Sequence, residues 1–80
     1  MNIELLFYED EKLNEFKKWV EKNKLDYELN GETIKVFGLN EYDNNYRSLN
    51  FYIEFFNDDG DYCYIDLKEN EVANWKISLS

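Results

Sequence analysis

The 80-residue chain contains no histidine, no proline, three glycines and a single cysteine. Histidine is the usual acid–base group near neutral pH and a common metal ligand, so its absence argues against most catalytic and zinc sites. One cysteine cannot form an internal disulfide or a cysteine-type zinc site. Three isolated glycines form no glycine-rich phosphate loop, and no apolar run approaches the length of a membrane span. We therefore expect a protein that is not an enzyme and holds neither a metal nor another cofactor.

Acidic residues are abundant, because 18 Asp and Glu stand against 9 Lys and Arg and give a net charge of −9. Such a chain is repelled by phosphate backbones and anionic lipid, which argues against direct binding to nucleic acid or membranes. The charge is uneven: residues 1–24 hold six acids and five bases, whereas residues 25–80 hold twelve acids and four bases. The charged start has no signal-peptide pattern, and the lone Cys63 suits a reducing compartment, so we expect a cytoplasmic location.

The chain is 44% hydrophobic and 19% aromatic, which is too apolar for a disordered acidic tail and predicts one folded domain, residues 1–80. Alternation predicts a strand over residues 2–8. A helix then opens at residues 9–11, with Asp10 as N-cap and an apolar stripe that contains Leu13, Phe16, Trp19 and Val20. The whole pattern has the order β-α-β-β-β-β-β. It predicts the α+β class, with one helix packed on an antiparallel sheet of about five or six strands.

A first hairpin is predicted around Asn30-Gly31, which lies between two alternating runs and favours a two-residue type I′ turn. The register that follows places Tyr27 opposite Ile34 and makes Asp26–Lys35 a favourable cross-strand charge pair.

A second hairpin is predicted over residues 49–67, with a three-residue loop at 58–60 and Gly60 in the left-handed region. This register gives a wholly apolar face, because it pairs Phe55 with Cys63, Ile53 with Ile65 and Phe51 with Leu67. A four-residue loop would place Asp66 opposite Phe51 on the buried face, where an unpaired charge is costly.

The remaining segments are a polar loop over residues 38–48, a turn over residues 68–71 and a final strand in which Ala73, Trp75, Ile77 and Leu79 alternate with Val72, Asn74, Lys76 and Ser78. Eleven residues is long for a loop in so small a domain, and long ordered loops are often functional. The predicted core consists of Leu13, Phe16, Val20, Tyr27, Ile34, Val36, Phe51, Ile53, Ile65, Trp75 and Ile77.

The acidic segment 57–61 has two interpretations. Four oxygen-bearing side chains around Gly60 suggest a calcium loop, but the EF-hand spacing fails: with Gly60 at loop position six, position one is Phe55 and position twelve is Asp66 instead of Glu. A hairpin turn is the favoured interpretation, because Asp, Asn and Gly are the preferred turn residues.

One face of the second hairpin combines aromatic and acidic residues, and a helix can cover only one face of a sheet. Either the 38–48 loop covers this second face, or it is an interaction surface, which exposed aromatic patches commonly are. We favour the interaction surface. Together with the acidic turn, the predicted partner-binding residues are Tyr52, Glu54, Phe56, Asp58, Asp59, Asp61, Tyr62, Tyr64 and Asp66.

In size, acidity and Tyr/Asn-rich composition over the whole chain, the protein resembles the small phage-encoded anti-CRISPR and anti-restriction inhibitors, some of which are DNA mimics. The resemblance carries no motif and assigns no residue roles. It implies a non-catalytic protein that occupies the nucleic-acid groove of a basic partner such as a nuclease. Two alternatives are open: an immunity protein or antitoxin that neutralises a basic toxin such as an RNase, and a structural or assembly subunit that self-associates as a homodimer.

Overall fold

The computed structural model describes the backbone of residues 2–39, 43–46, 50–57 and 59–78, and the side chains of these residues except 43–46, 50–55 and 69. The elements are β1 (Asn2–Phe7), α1 (Asp10–Lys22), β2 (Tyr27–Asn30), β3 (Thr33–Val36), β4 (Asp43–Tyr46), β5 (Asn50–Phe56), β6 (Tyr62–Lys68), a 3₁₀ turn (Glu69–Glu71) and β7 (Val72–Ser78). The α+β class, with one helix packed on an antiparallel sheet, is confirmed.

The strands of these described ranges form two antiparallel sheets, one with the order β2-β3-β1-β7 and one with the order β4-β5-β6. This corrects the expected single sheet of five or six strands. The additional strand, β4, lies inside the segment that was predicted to be a loop. Its sequence, Asp-Asn-Asn-Tyr, has weak strand propensity, so the pairing with the open edge of β5 supplies the order that the local sequence does not.

The core lies between α1 and the two sheets. β1 alternates strictly, with Ile3, Leu5 and Phe7 buried, because it is a central strand with one face turned to the helix. β6 contributes Cys63 and Leu67 to the same cluster, so both sheets share one hydrophobic core. The full set of buried apolar residues is Ile3, Leu5, Phe7, Leu13, Phe16, Val20, Ile34, Val36, Leu39, Cys63, Leu67 and Val72.

The two ends of α1 differ. The N-cap is Glu9, in an extended conformation, and Asp10 is already helical, one residue later than its predicted capping role. The C-terminal end is a Schellman motif, since the Leu25 N–H donates to the Val20 carbonyl and the Lys24 N–H donates to the Glu21 carbonyl, each at 3.1 Å. Lys24 has φ of 58°, a left-handed conformation that glycine usually takes at this position.

The first hairpin is present, but its predicted register is wrong by two residues. Tyr27 pairs with Val36, and Lys35 pairs with Glu28 instead of Asp26. Gly31 and Glu32 therefore form the loop. Gly31 has φ of 64° and Glu32 has no positive φ, which is the sign pattern of a type II′ turn and not type I′. A shift of two leaves every side chain on its expected face, so the hydrophobic pattern did not distinguish the two registers.

The second hairpin has the predicted register throughout: Phe55 pairs with Cys63, Ile53 with Ile65 and Phe51 with Leu67. The Asn57 N–H donates to the Asp61 carbonyl at 3.0 Å, and Gly60 has φ of 82°, as the predicted three-residue loop requires.

One predicted core residue on β7, Trp75, is not buried in the structure. Trp75 pairs with Leu5 and lies on the helix side of the sheet, but it is 37% exposed because β7 is an edge strand that the single helix does not cover. Tyr27 lies on β2, the opposite edge strand of the same sheet, and is only half-buried although it was predicted to be in the core. A register irregularity at Leu6/Phe7 pairs Phe7 with Val72, so Val72 is buried in place of Ala73. The side chains of Phe51 and Ile53 lie outside the described residues.

A candidate protein-binding surface

The two sides of β6 have opposite environments. Cys63 and Leu67 are buried and Ile65 is half-buried against the core, whereas the alternate positions are exposed. Tyr62 is 53% exposed and Tyr64 is 44% exposed. This is the ordinary alternation of a strand with one face on the core, but with tyrosine where a polar side chain is usual.

The exposed side chains form a surface that we call the aromatic–acidic face, consisting of Phe56, Tyr62, Tyr64 and Asp66. Phe56 is 41% exposed and packs edge-on against Tyr62, with ring centroids 5.9 Å apart and an interplanar angle of 66°. Asp66 is exposed on the same face. The described members of the predicted site on this face are therefore brought together and are accessible to a partner.

The register adds two positions to this face. Glu54 pairs with Tyr64, and Tyr52 pairs with Asp66. Directly opposite residues in an antiparallel pair belong to the same side of the sheet, so these positions continue the face. The side chains of Tyr52 and Glu54 themselves lie outside the described residues.

The 38–48 segment was the candidate cover for this face. Its described strand, β4, lies beside β5 in the plane of the sheet and so widens the sheet at that edge. The same register places Asp43 opposite Glu54, two acidic positions side by side. Residues 40–42 and 47–49 lie outside the described residues.

The acidic turn is organised by Asn57, which is only 8% exposed. Its Oδ1 accepts hydrogen bonds from the Asp59 N–H at 3.1 Å and the Asp61 N–H at 2.9 Å. The hairpin-turn interpretation of this segment is thus confirmed, because the segment joins the paired strands β5 and β6 and Asn57 accepts hydrogen bonds from the backbone of the turn itself. Asp59 and Asp61 are exposed, whereas Asp58 lies outside the described residues.

Side chains at the C-terminal end of α1 contact the second hairpin directly. Trp19 Nε1 donates to the Tyr64 carbonyl at 3.2 Å, and the Lys24 ammonium lies 3.2 Å from Asp59 Oδ2. Between them, Asn23 Nδ2 donates to the Trp19 carbonyl at 2.8 Å, and the Cys63 thiol donates to Asn23 Oδ1 at 3.1 Å. These contacts set the position of β6 and its turn against the helix.

Burial raises the pKa of the Cys63 thiol, an effect that the nearby Asp61 charge reinforces. The thiol is therefore protonated at neutral pH, as its donation to Asn23 requires. A buried, protonated thiol is a poor nucleophile, so the geometry gives Cys63 a structural role.

A small groove runs between the start of α1 and β6, lined by Lys12, Glu15, Asp66 and Glu71 together with apolar core residues. Lys12 lies 3.5 Å from Glu15, and the charges of Glu15 and Glu71 raise the pKa of Lys12. A lysine held protonated in this way is neither a base nor a nucleophile. The groove thus offers charged contacts at the margin of the aromatic–acidic face.

Among the side chains that the structure describes, no group of three or more Cys, Asp or Glu residues is arranged to hold a metal ion. The described helix, with 13 residues, is too short and too polar to cross a membrane.

Sequence reasoning missed the residues that hold the site together: Trp19, Asn23, Lys24 and Asn57. Asn57 had a usable signal, because an Asn just before an Asp-Asp-Gly loop is a common Asx-turn residue. The other three had none, since their contacts join residues 35 to 45 positions apart in the chain.

Scans of the chain against protein-family models, curated proteins and solved structures find no match, so the function must be argued from the surface itself.

Proposed function

We propose that this protein is a non-catalytic inhibitor that binds a positively charged, nucleic-acid-processing protein through the aromatic–acidic face and covers its nucleic-acid groove. The observation that carries the proposal is the accessible cluster of Phe56, Tyr62 and Tyr64 beside Asp66. Exposed aromatic residues in contact with each other are typical of the energetic centre of a protein interface.

Charge supports the nature of the partner. Residues 25–80 carry eight of the nine net negative charges, and this part of the chain contains the face and its turn. Negative potential around an apolar centre speeds encounter with a basic surface and excludes acidic ones. A nucleic-acid groove is a large basic surface, because its Lys and Arg side chains neutralise several backbone phosphates.

The test compares two double variants with equal charge. Glu54→Lys with Asp66→Lys changes the face, whereas Glu21→Lys with Glu32→Lys changes exposed positions on the helix and the first hairpin. Each variant replaces two acids by two lysines. We expect the wild-type and the control to capture the same protein from host lysate at low salt, and the face variant to lose it.

The captured protein is then purified and bound to a labelled DNA duplex. Added wild-type protein should displace the duplex, the control should do so nearly as well, and the face variant should not. Equal loss in both variants would mean that bulk charge, and not this face, drives binding. A stable homodimer in sedimentation velocity, with the face tyrosines buried, would favour self-association and overturn the proposal.

A further inference from the structure

β2 is an edge strand of the four-stranded sheet, and among the strands that the structure describes it has a neighbour on one side only. The Phe37 N–H donates to the Asp26 carbonyl at 2.9 Å, so the backbone groups of Asp26 point toward β3. The backbone groups of successive residues in a strand point to opposite edges. Glu28 therefore bonds to β3 as well, whereas Tyr27 and Leu29 present their N–H and C=O groups at the open edge.

The side chains along this edge alternate between apolar and acidic. Tyr27 and Leu29 pair with buried residues of β3 and so belong to the helix side of the sheet. Tyr27 is half-buried, and Leu29 is 45% exposed. Asp26 and Glu28 are exposed and belong to the other side. A strand added here can cover Leu29 with an apolar residue and bring its alternate residues beside the two acids.

The two acids at this edge have no cation bound to them. None of the ion pairs formed among the described residues involves Asp26 or Glu28. Lys35 stands opposite Glu28 in the register, but its ammonium lies 3.6 Å from the carboxylate of Glu4 on the strand beyond. Because opposite charges across neighbouring strands stabilise a sheet, the edge favours an incoming strand with basic residues at the facing positions.

Charge also argues against a second copy of this chain at the same edge. An antiparallel pair of β2 strands that joins Tyr27 to Leu29 of the other copy places Glu28 opposite Glu28. A pair that joins Tyr27 to Tyr27 places Glu28 opposite Asp26. Like charges directly opposite each other destabilise a sheet, and charged side chains on edge strands commonly prevent such self-association. The edge thus excludes its own copy and admits a basic strand.

We propose that the open edge of β2 binds an extended segment of a partner protein, in which apolar and basic residues alternate, as an additional antiparallel strand. The apolar residues of the segment exchange backbone hydrogen bonds with Tyr27 and Leu29, because directly opposite residues share one side of the sheet. Its basic residues face Asp26 and Glu28. In this mode of recognition, backbone bonds supply affinity and alternate side chains supply specificity. The surface is separate from the aromatic–acidic face and extends beyond the proposed function.

The experiment uses two capped hexapeptides, both Val-Lys-Val-Lys-Val-Lys, with N-methyl groups on the valines in one and on the lysines in the other. Charge and side chains are equal. N-methylation of the valines removes the N–H groups that face β2, whereas N-methylation of the lysines removes those on the far edge of the peptide. In nitrogen–proton NMR titrations of the whole protein, the lysine-methylated peptide should bind roughly tenfold more tightly, because only it can donate backbone hydrogen bonds to β2.

Hydrogen exchange locates the bound strand. The lysine-methylated peptide should slow exchange of the Tyr27 and Leu29 amides, which have no acceptor at the open edge. It should leave the Glu28 amide nearly unchanged, because that N–H already bonds to β3.

Leu29→Pro removes an N–H that faces outward, and proline is accepted at such edge positions, so the variant blocks the edge and keeps the bonds to β3. It should abolish the difference between the two peptides. Leu29→Ala truncates the same side chain but keeps the N–H, and should retain most of the difference. Asp26→Asn with Glu28→Gln should weaken the lysine-methylated peptide about threefold. Circular dichroism establishes that each variant is folded, and the peptide pair with wild-type protein decides the matter if Leu29→Pro is not.

The outcomes separate this inference from the proposed function. Equal binding of the two peptides to wild-type protein, or amide shifts centred on residues 62–66, would overturn the edge inference and leave the proposed function standing. A wild-type dimer in sedimentation velocity that Leu29→Pro dissociates would also overturn it, since a second copy would then occupy the edge. If Glu54→Lys/Asp66→Lys binds the lysine-methylated peptide normally, the edge acts independently of the aromatic–acidic face. Normal partner capture by that variant would remove the proposed function alone.

Discussion

The outer faces of the two sheets differ in how their charged residues are arranged across neighbouring strands. Across the four-stranded sheet, the register aligns Glu28, Lys35, Glu4 and Lys76 in one row, so the signs alternate from strand to strand. On the three-stranded sheet, the described exposed side chains of β6 are Tyr62, Tyr64, Asp66 and Lys68, and the register places Asp43 opposite Glu54. The row on the first face pairs two acids with two lysines, whereas the register of the second face brings the acidic positions Asp43 and Glu54 directly opposite each other.

We infer from this difference that the charges of the four-stranded sheet stabilise the fold, whereas those of the three-stranded sheet suit the basic partner proposed above. Opposite charges directly across strands stabilise a sheet, and like charges there destabilise it. The four-stranded sheet therefore gains from its charges. The three-stranded sheet gains little from its own, and an arrangement that gives the fold no advantage is more readily explained by an external basic surface. The overall charge of −9 is unevenly distributed, since residues 25–80 carry eight of the nine net negative charges, and the exposed Asp66 lies on the same face as Tyr62 and Tyr64.

The largest expected effect concerns the core that both sheets share. Leu5 is fully buried on β1, and Leu67 is 4% exposed on β6. Replacing either by Ala should lower the free energy of unfolding by about 2–5 kcal/mol, because each change removes apolar burial and leaves a cavity. Urea unfolding followed by tryptophan fluorescence and by circular dichroism should show a single common transition for each variant.

Leu29→Ala, at a position that is 45% exposed, serves as the control and should cost less than about 1 kcal/mol. Two separate transitions in Leu67→Ala would show that the three-stranded sheet folds independently. The comparison of the two faces would then concern two separate folding units and not one protein surface.

The two hairpin turns provide the next comparison. Asn57 is nearly buried and accepts two backbone N–H groups, whereas Asn30 is exposed and the left-handed residue of its turn is Gly31. Asn57→Ala should lower the free energy of unfolding by about 1–3 kcal/mol, since it leaves two turn N–H groups without their acceptor. Asn30→Ala should change it by less than about 0.5 kcal/mol.

Asn57→Asp keeps the acceptor oxygen and should recover most of the stability that Asn57→Ala loses. Chemical denaturation of the three variants measures these differences. If Asn57→Ala were as mild as Asn30→Ala, the side chain would not organise the acidic turn, and Asp59 and Asp61 would not be held in place for a partner.

The sequence predicts the register of a hairpin correctly where the alternative register would move a charged side chain into the core. The register of the second hairpin was predictable because the alternative buries Asp66. In the first hairpin a shift of two residues keeps every side chain on its face, and Glu28 replaces Asp26 as the partner of Lys35 without loss of charge pairing. The aromatic–acidic face was predictable from the same alternation as the core.

Other features have no local signal. β4 begins with Asp-Asn-Asn, three residues of low strand propensity, and owes its conformation to pairing with the edge of β5. Trp75 alternates inward correctly, but its exposure depends on how far one helix reaches across four strands. The contacts of Trp19 with Tyr64 and of Asn23 with Cys63 exist only once the helix and the hairpin are docked.

The smallest expected effect tests the comparison of charges directly. Lys35 lies between Glu4 and Glu28, so Lys35→Gln removes the cation that stands opposite both acids and should lower the free energy of unfolding by about 0.2–1 kcal/mol. Asp66→Asn removes one charge from a surface that repels itself and should leave stability unchanged or raise it by a few tenths of a kcal/mol. The opposite signs should be clear in urea unfolding at low salt, and both effects should shrink in about 0.5 M salt, where the screening length is only a few Å. If Asp66→Asn destabilised the protein as much as Lys35→Gln, Asp66 would have a partner within the fold, and its charge would not be available to a basic partner protein.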